Sequence, residues 1–166
     1  SAAFIDAMAT RGGTTPARQD VARFTSPDLV ALNAGVVADG YTGEVARTWP
    51  VTGEGNGSFR RWDELWARLL DACRPGASGS GLLDAYEAAG EALPSLPVGR
   101  GLGLGFDDPV IVRDLPETAA RERLEPGVVL AVTGVAGPVV ATEVVHITDD
   151  GPELLTSSPF PARSRA

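Results

Sequence analysis

The sequence has no lysine, one cysteine, one histidine and one methionine among its 166 residues. The cysteine, Cys73, cannot form a disulfide within the chain, and it lies among apolar residues at helical spacing, which is typical of a buried thiol in a reducing compartment. The chain also lacks an apolar run of roughly 20 residues, the length that a membrane-spanning helix needs. Because its first residues show no secretory signal pattern either, we expect a cytoplasmic location.

The sequence is also poor in positive charge. Its 14 basic residues, all of them arginine, are outnumbered by 22 acidic residues, which gives a formal net charge of -8. Nucleic acids and anionic membranes bind to clustered cationic surfaces, so we expect neither as a partner. The use of arginine without lysine suggests a bacterial gene of high GC content.

Apolar residues, by contrast, are plentiful. They make up 43% of the chain, which is enough for the core of one globular domain spanning residues 1–166. Residues 4–8 have helical spacing and precede two glycines, which predicts a short first helix. Strand-type runs follow between residues 29 and 51, and Asp39-Gly40 between them predicts a hairpin.

Two helices and a second group of strands complete the pattern. Residues 62–73 carry apolar side chains on one helical stripe, and residues 80–93 form a second amphipathic segment. The strand-like runs that follow lie at 98–106, 110–112, 128–133, 139–148 and 154–155. Because helices and strands come in groups instead of alternating, the pattern predicts an α+β fold with helices covering one face of a curved antiparallel sheet.

Four segments resemble the pita-bread metallopeptidase family, the creatinase and aminopeptidase P group. The first keeps the family's spacing of Asp-x-Gly followed by Gly-Tyr-x-x-Asp-x-x-Arg-Thr, and the second its Gly-His-Gly strand, with Pro109 one place early. The third and fourth match the Leu-x-Pro-Gly strand and the closing Glu-Asp-Thr-Val-x-Val-Thr pattern. In order, the segments span residues 33–51, 98–109, 124–134 and 142–156. The resemblance implies the pita-bread fold, in the catalytic-type C-terminal domain of a longer protein with further helices before it.

Active members of this family hold two divalent metal ions with two Asp, one His and two Glu. Carried over by position, these ligands correspond to Asn33, Glu44, Arg100, Thr133 and Thr142. Only Glu44 is anionic, and the guanidinium of Arg100 brings a fixed positive charge and no lone pair. Since the number and charge of the ligands dominate the affinity for such ions, the resemblance implies that no manganese, cobalt or zinc cofactor is held.

We expect Arg100 to form an ion pair with Glu44, because each charge would otherwise lie unpaired in a partly closed cleft. The function implied is that of a Xaa-Pro peptidase-like domain without peptidase activity. Such a domain would use its cleft to bind a peptide-like or small-molecule ligand, or a protein partner. A homodimer is compatible with the family.

Two catalytic alternatives remain open. A metal-independent hydrolase or lyase would need a rebuilt site, with Glu44, Arg100, Asp107 and Asp108 as its candidate residues. Adjacent acidic residues before a proline are, however, more typical of a solvated loop. Creatinase works without metal by using a histidine from the segment that corresponds here to residues 18–26, which contains none.

The second alternative is an active metallopeptidase in which the ligand matching is shifted by one residue. Glu143 would then have to serve in place of Thr142, although strand alternation directs it to the opposite face of the sheet. The only histidine, His146, lies in a strand-like run and is more typical of an exposed or packed side chain than of a catalytic base.

Overall fold

The computed structural model describes residues 4–8, 29–39, 41–50, 57–103, 106–114, 116 and 122–156. Within these ranges the chain forms one antiparallel sheet and two helices. The helices are α1 (Gly57–Ala72) and α2 (Gly81–Ala89). The strands are β1 (Phe4–Met8), β2 (Leu29–Ala38), β3 (Tyr41–Pro50), β4 (Gly99–Leu102), β5 (Phe106–Ile111), β6 (Val129–Ala136), β7 (Val139–Thr148) and β8 (Gly151–Leu154). The predicted α+β class is therefore confirmed.

The strands follow one another across the sheet in the order β1-β2-β3-β7-β6-β4-β5. Strand β6 pairs with one edge of β7 along most of its length, and two other strands pair with the opposite edge. On that shared edge β3 pairs with β7 at Thr142, whereas β8 pairs with it from Val145 to Thr148. The beginning of β3 is therefore displaced from β7 by β8 and by Leu155, whose N–H donates to the carbonyl of Val144.

This displacement goes together with a strong curl of the sheet. The backbone N–H of Thr42, in β3, donates a hydrogen bond of 3.4 Å to the carbonyl of Gly103, just beyond β4. In a flat sheet β7 and β6 would hold these two strands about 14 Å apart, at roughly 4.8 Å per strand interval. The sheet thus closes on itself at this end, and its concave face forms a cleft.

Both helices pack on the convex face. The indole N–H of Trp62 in α1 donates to the carbonyl of Gly134 in β6 at 2.9 Å, and a Cβ at Gly99 in β4 would lie 2.8 Å from Leu82 of α2. The core between helices and sheet includes Leu65, Leu69, Cys73, Leu130, Val132, Val145 and Ile147. Burial raises the pKa of the Cys73 thiol to about 12, which agrees with the predicted structural role.

The hairpin and both later helices are found where they were predicted. Asp39, between β2 and β3, has a positive φ of 52°, a conformation that Asp tolerates better than most residues. Helix α2 ends at Gly90, which is in the left-handed conformation. Neither helix in the described part of the chain is long and apolar enough to cross a bilayer.

The first element was predicted wrongly. Residues 4–8 form a strand, not a helix, and all five pair with β2, from Phe4 opposite Val37 to Met8 opposite Asn33. The apolar residues of so short a segment fit both periodicities, and the edge of β2 supplies backbone partners that a one-turn helix lacks.

The prediction of one strand at 98–106 is also wrong. The chain turns after β4, so that β4 and β5 pair with each other, and Leu104 and Gly105 lie outside the described residues. Asp107 and Asp108 consequently belong to β5 and not to the predicted loop. In the pairing with β4, Arg100 is opposite Val110 and Gly101 is opposite Asp107, so Asp108 and Pro109 have no partner residue in β4. The peptide bond between Asp108 and Pro109 is cis.

Helix packing on β6 can be tested at Gly134. A methyl group there would lie 2.8 Å from the Trp62 indole nitrogen and 3.4 Å from Leu69, so Gly134→Ala must displace a buried indole from its hydrogen bond. We expect a loss of about 1–3 kcal/mol in the free energy of unfolding, measured with urea. The matched control is Gly57→Ala, because nothing lies within 4 Å of its Cβ position; this change should stay within about 0.5 kcal/mol. Equal stability of the two variants would contradict the packing.

Candidate functional site

The five positions that correspond to the family's metal ligands come together on the concave face, one from each of five strands. Thr133 of β6 and Thr142 of β7 are directly paired in the sheet. Side chains alternate between the faces of a strand, and the residue after Thr133 faces α1 on the convex side. Thr133 and Thr142 therefore belong to the concave face.

The other three positions follow by the same alternation. Arg100 is next to Gly99, whose Cβ direction points at α2, so the arginine lies on the concave side. Asn33 pairs with Ala46 and Ala46 with Thr142, which places Asn33 on that side too. Glu44 precedes Ala46 by two residues in β3 and shares its face.

Arg100 and Glu44 form the predicted ion pair. Nη2 of Arg100 lies 2.8 Å from Oε2 of Glu44, and the two side chains are 28% and 24% exposed. The curl of the sheet makes this contact possible, since the two residues come from strands separated by β7 and β6. At this degree of exposure the pair is partly screened by water, so it neutralises the charges of the cleft more than it stabilises the fold.

The two threonines form a second pair. Their hydroxyl oxygens are 2.9 Å apart, and one donates to the other. Both residues are buried, and Tyr86 of α2 fixes the strand behind them, because its hydroxyl donates to the carbonyl of Thr133 and accepts from the N–H of Val135. Burial raises the pKa of Tyr86, so this hydroxyl keeps its proton.

Two oxygen atoms on the concave face are buried and have no hydrogen-bond partner among the described residues. They are Oδ1 of Asn33 and Oγ1 of Thr42. Thr42 precedes Glu44 by two residues in β3 and shares its face. Leaving a buried polar group unsatisfied costs about 1–3 kcal/mol. Sequence reasoning identified Asn33 by the motif but gave no signal for Thr42, which is not a ligand position.

These residues do not suit a pair of divalent cations. The positions supply one amide, two hydroxyls bonded to each other, and one carboxylate already bound to a guanidinium. Such ions need several anionic oxygens or a neutral imidazole. In the part of the chain that the structure describes, no group of three or more His, Cys, Asp or Glu side chains could hold a metal ion.

The structure places the other sequence candidates elsewhere. Asp108 is exposed and lines a small pocket of about 180 Å³. The other residues that line this pocket include Gly79, before α2, and Arg123, before β6. Neither Glu44 nor Arg100 lines it. Asp107 pairs with Gly101, but its side chain lies outside what the structure describes. His146 is partly exposed, with Nδ1 at 3.4 Å from Oε2 of Glu153.

Glu143 faces away from the cleft, as strand alternation predicted. It is paired with Val132 on the convex side, and its Oε1 lies 2.7 Å from Nη2 of Arg47. Both side chains are almost fully buried, at 6% and 2% exposure. The second carboxylate oxygen of Glu143 accepts a hydrogen bond from Thr156. Sequence reasoning did not identify this ion pair, although a charged residue in each of two apolar strands was a visible signal.

Side chains hold β3 against β7, where the strand ladder is reduced to the single pair Ala46–Thr142. Nη1 of Arg47 donates to the carbonyl of Thr142 at 3.0 Å. The hydroxyl of Thr48 donates to the carbonyl of Val140 at 2.7 Å and accepts from its N–H at 3.0 Å. We call these contacts, with the Arg47–Glu143 pair, the β3–β7 seam. Because the seam joins the strands of Glu44 and Thr142, it sets the distance between the two halves of the site.

One protein family matches this sequence. The model of a family described as metallopeptidase family M24 matches residues 6–150. A search of curated proteins gives no significant match.

Solved structures share the fold at low sequence identity. Dipeptidase PepE from Mycobacterium ulcerans is similar over 97% of this chain, with 17% identity and a TM-score of 0.69. The X-Pro aminopeptidase from Thermotoga maritima is similar over 96%, with 19% identity and a TM-score of 0.68. The N-terminal domain of the FACT complex subunit SPT16 from Cicer arietinum, chickpea, is similar over 93%, with 14% identity and a TM-score of 0.66. This chain covers 46%, 49% and 42% of those chains, less than half of each.

The seam generates a prediction about stability. Glu143→Gln removes the negative charge that lies opposite the buried guanidinium of Arg47. We expect the free energy of unfolding to fall by about 3–5 kcal/mol, measured with urea at neutral pH. The control is Asp71→Asn, which breaks the exposed pair between Asp71 and Arg74 on α1 and should cost less than about 1 kcal/mol. A Glu143→Gln protein as stable as the control would show that the seam does not depend on this pair.

Proposed function

The chain belongs to metallopeptidase family M24, and from this premise we propose that it is a member without metal or peptidase activity that uses its cleft for binding. Its fold is the Xaa-Pro peptidase-like pita-bread fold of the family. The observation that carries the proposal is the ion pair between Arg100 and Glu44. The only carboxylate left among the five ligand positions is bound to a cation of the protein itself.

The charges of the site support this proposal. Glu44 and Arg100 together contribute no net charge, and Asn33, Thr133 and Thr142 are neutral. Two divalent cations would bring four positive charges next to a guanidinium, with nothing to balance them. A metal would also have to displace the guanidinium from Glu44, and arginine has no lone pair with which to become a ligand instead.

Binding fits the observations better than a rebuilt metal-free catalytic site. Such a site would draw on Asp108 together with Glu44, and Asp108 lines a separate pocket. The comparisons include a domain of a complex subunit as well as peptidases, so the same fold occurs in proteins whose names describe assembly and in proteins whose names describe hydrolysis. We propose a small-molecule or peptide-like ligand, or a protein partner, in place of a substrate.

Metal retention tests the proposal. The purified protein is incubated with manganese, cobalt or zinc, exchanged into metal-free buffer and analysed for bound metal. We expect less than about a tenth of an equivalent, because one paired carboxylate cannot hold these ions against dilution. Hydrolysis of proline-containing dipeptides is assayed in the same samples and should not exceed the rate in buffer.

The positive control introduces the family's ligand types at four positions, as Asn33→Asp, Arg100→His, Thr133→Glu and Thr142→Glu, and keeps the native Glu44 as the carboxylate at the fifth. This variant should retain metal, and added metal should raise its melting temperature, since ions that bind only the native state stabilise it. Near-stoichiometric metal in the unmodified protein would overturn the proposal. Hydrolysis that Glu44→Gln abolishes in a metal-free sample would support the metal-independent hydrolase instead.

A further inference from the structure

We infer that two segments compete for one edge of β7, and that their exchange opens and closes one end of the cleft. One segment is the beginning of β3. The other is residues 151–156, which consist of β8, Leu155 and Thr156 and which we call the strap. The exchange involves only groups of the chain itself, so it goes beyond the proposed function and does not depend on whether the protein holds metal.

The two segments lie one after the other on the same edge of β7. Strand β3 pairs with this edge at Thr142, and the strap pairs with the other half of β7, also antiparallel. The last contacts of the strap are the N–H of Leu155, which donates to the carbonyl of Val144, and the hydroxyl of Thr156, which donates to Glu143. The segments therefore meet between Thr142 and Val144, and either can pair further only if the other pairs less.

The register of β3 fits the part of β7 that the strap occupies. Continued beyond Ala46–Thr142, it places Glu44 opposite Val144. In an antiparallel strand, the backbone groups that bond to one neighbour recur at every second residue, so Glu44 presents its N–H and carbonyl to the same edge as Ala46. Val144 can thus be bonded by Leu155, as in this structure, or by Glu44. Because this step is two residues long, every side chain of β3 stays on its own face of the sheet.

Strand β3 has few partners where the strap displaces it. On the edge away from β2, the only ladder pair among the described residues is that of Ala46, and Glu44 has no backbone partner there. Thr42 donates its N–H to Gly103 over a long 3.4 Å, and no described residue bonds its buried hydroxyl. Polar backbone groups without partners disfavour a conformation, so pairing of Glu44 with β7 would relieve this one.

The end of the strap buries little. Leu154 and Leu155 are 43% and 53% exposed, so releasing them exposes only a small additional apolar area. Moving Glu44 onto Val144 in place of Leu155 exchanges one backbone pair for another. The hydrogen bond from Thr156 to Glu143 is then the contact that favours the strap, and it acts as a catch.

The exchange changes the shape of the cleft. When Glu44 pairs with Val144, it draws Thr42 back to the β7 side of the sheet. Three strand intervals, roughly 14 Å, separate that side from β4, so Thr42 can no longer reach Gly103. The contact that closes this end of the cleft is then lost. With the strap bound the end is closed, as in this structure, and with the strap released it is open.

Proline substitution in the strap tests the exchange. Leu155→Pro removes the N–H that donates to Val144. In this variant we expect NMR to show a new cross-strand contact between Glu44 and Val144 and the loss of the contact between Thr42 and Gly103. The amide of Glu44 should exchange with solvent at least about tenfold more slowly than in the unmodified protein, because it gains a hydrogen bond.

The matched control is Leu154→Pro. Its N–H points away from β7, since that of the next residue points towards it, and proline is tolerated where the N–H of an edge strand faces outwards. This variant should leave the contacts of Glu44 and Thr42 unchanged. A change as large as that in Leu155→Pro would show that proline disturbs the strap in general, and the inference would be wrong.

Two further measurements decide the question if Leu155→Pro does not fold. Thr156→Val removes only the hydroxyl that donates to Glu143; it should speed amide exchange at Leu155 at least about tenfold and produce the Glu44–Val144 contact. In the unmodified protein, relaxation dispersion should give one common rate for Leu155 and Glu44, because each can bond Val144 only after the other has left.

Three results would overturn the inference. The first is a folded Leu155→Pro protein that keeps the contact between Thr42 and Gly103. The second is a Thr156→Val protein in which Leu155 exchanges faster while Glu44 is unchanged, since the strap would then fray without being replaced. The third is the absence of a common rate in the unmodified protein. Metal retention is measured separately, and its result bears on the proposed function alone.

Discussion

The buried pair of Arg47 and Glu143 is the interaction on which the site depends. The sheet consists of a β1-β2-β3 part and a β7-β6-β4-β5 part, and the strand ladder between them is limited to the pair Ala46–Thr142, with one further backbone hydrogen bond from Thr42 to Gly103. At such a junction the strands would separate readily, because one ladder pair contributes little. Arg47 compensates by reaching the carbonyl of Thr142 while Glu143 neutralises its charge. A buried ion pair of this kind is costly to break from one side, and it therefore specifies how the two parts meet.

From this junction the geometry of the cleft follows. Strand β8 and Leu155 occupy the edge of β7 that β3 leaves, so β3 bends across the concave face until Thr42 meets Gly103. The bend is what allows Glu44 and Arg100, three strands apart in the sheet order, to touch. The convex face carries the apolar contacts with α1 and α2 together with the Arg47–Glu143 pair. The concave face carries the polar positions of the candidate site.

Much of this arrangement was predictable from the sequence, for identifiable reasons. Long elements such as α1 and β7 were predicted correctly because their apolar residues recur regularly. The recurrence is at every third or fourth residue in a helix and at every second residue in a strand. The Glu44–Arg100 pair was predictable because two charges without partners in one cleft must compensate each other. The strand at residues 4–8 was not predictable, since a segment of five residues fits either period and only the edge of β2 decides between them. The buried hydroxyl of Thr42, which has no partner among the described residues, was missed for another reason: no sequence pattern records a hydrogen bond that is not made.

The five positions that correspond to the family's metal ligands have a common constraint under the proposed function. If no cation lies between them, they must satisfy one another, because buried polar groups without partners are costly. Four of them do so in two pairs, one ionic between Glu44 and Arg100 and one neutral between Thr133 and Thr142. An odd number of positions cannot all be paired, and Asn33 is the one whose oxygen is left without a described partner. A site that had become only structural would be under pressure to lose this polar atom, since an apolar residue of similar size would cost less. Among the five positions, the amide of Asn33 is therefore the group whose presence the pairing between described residues does not explain.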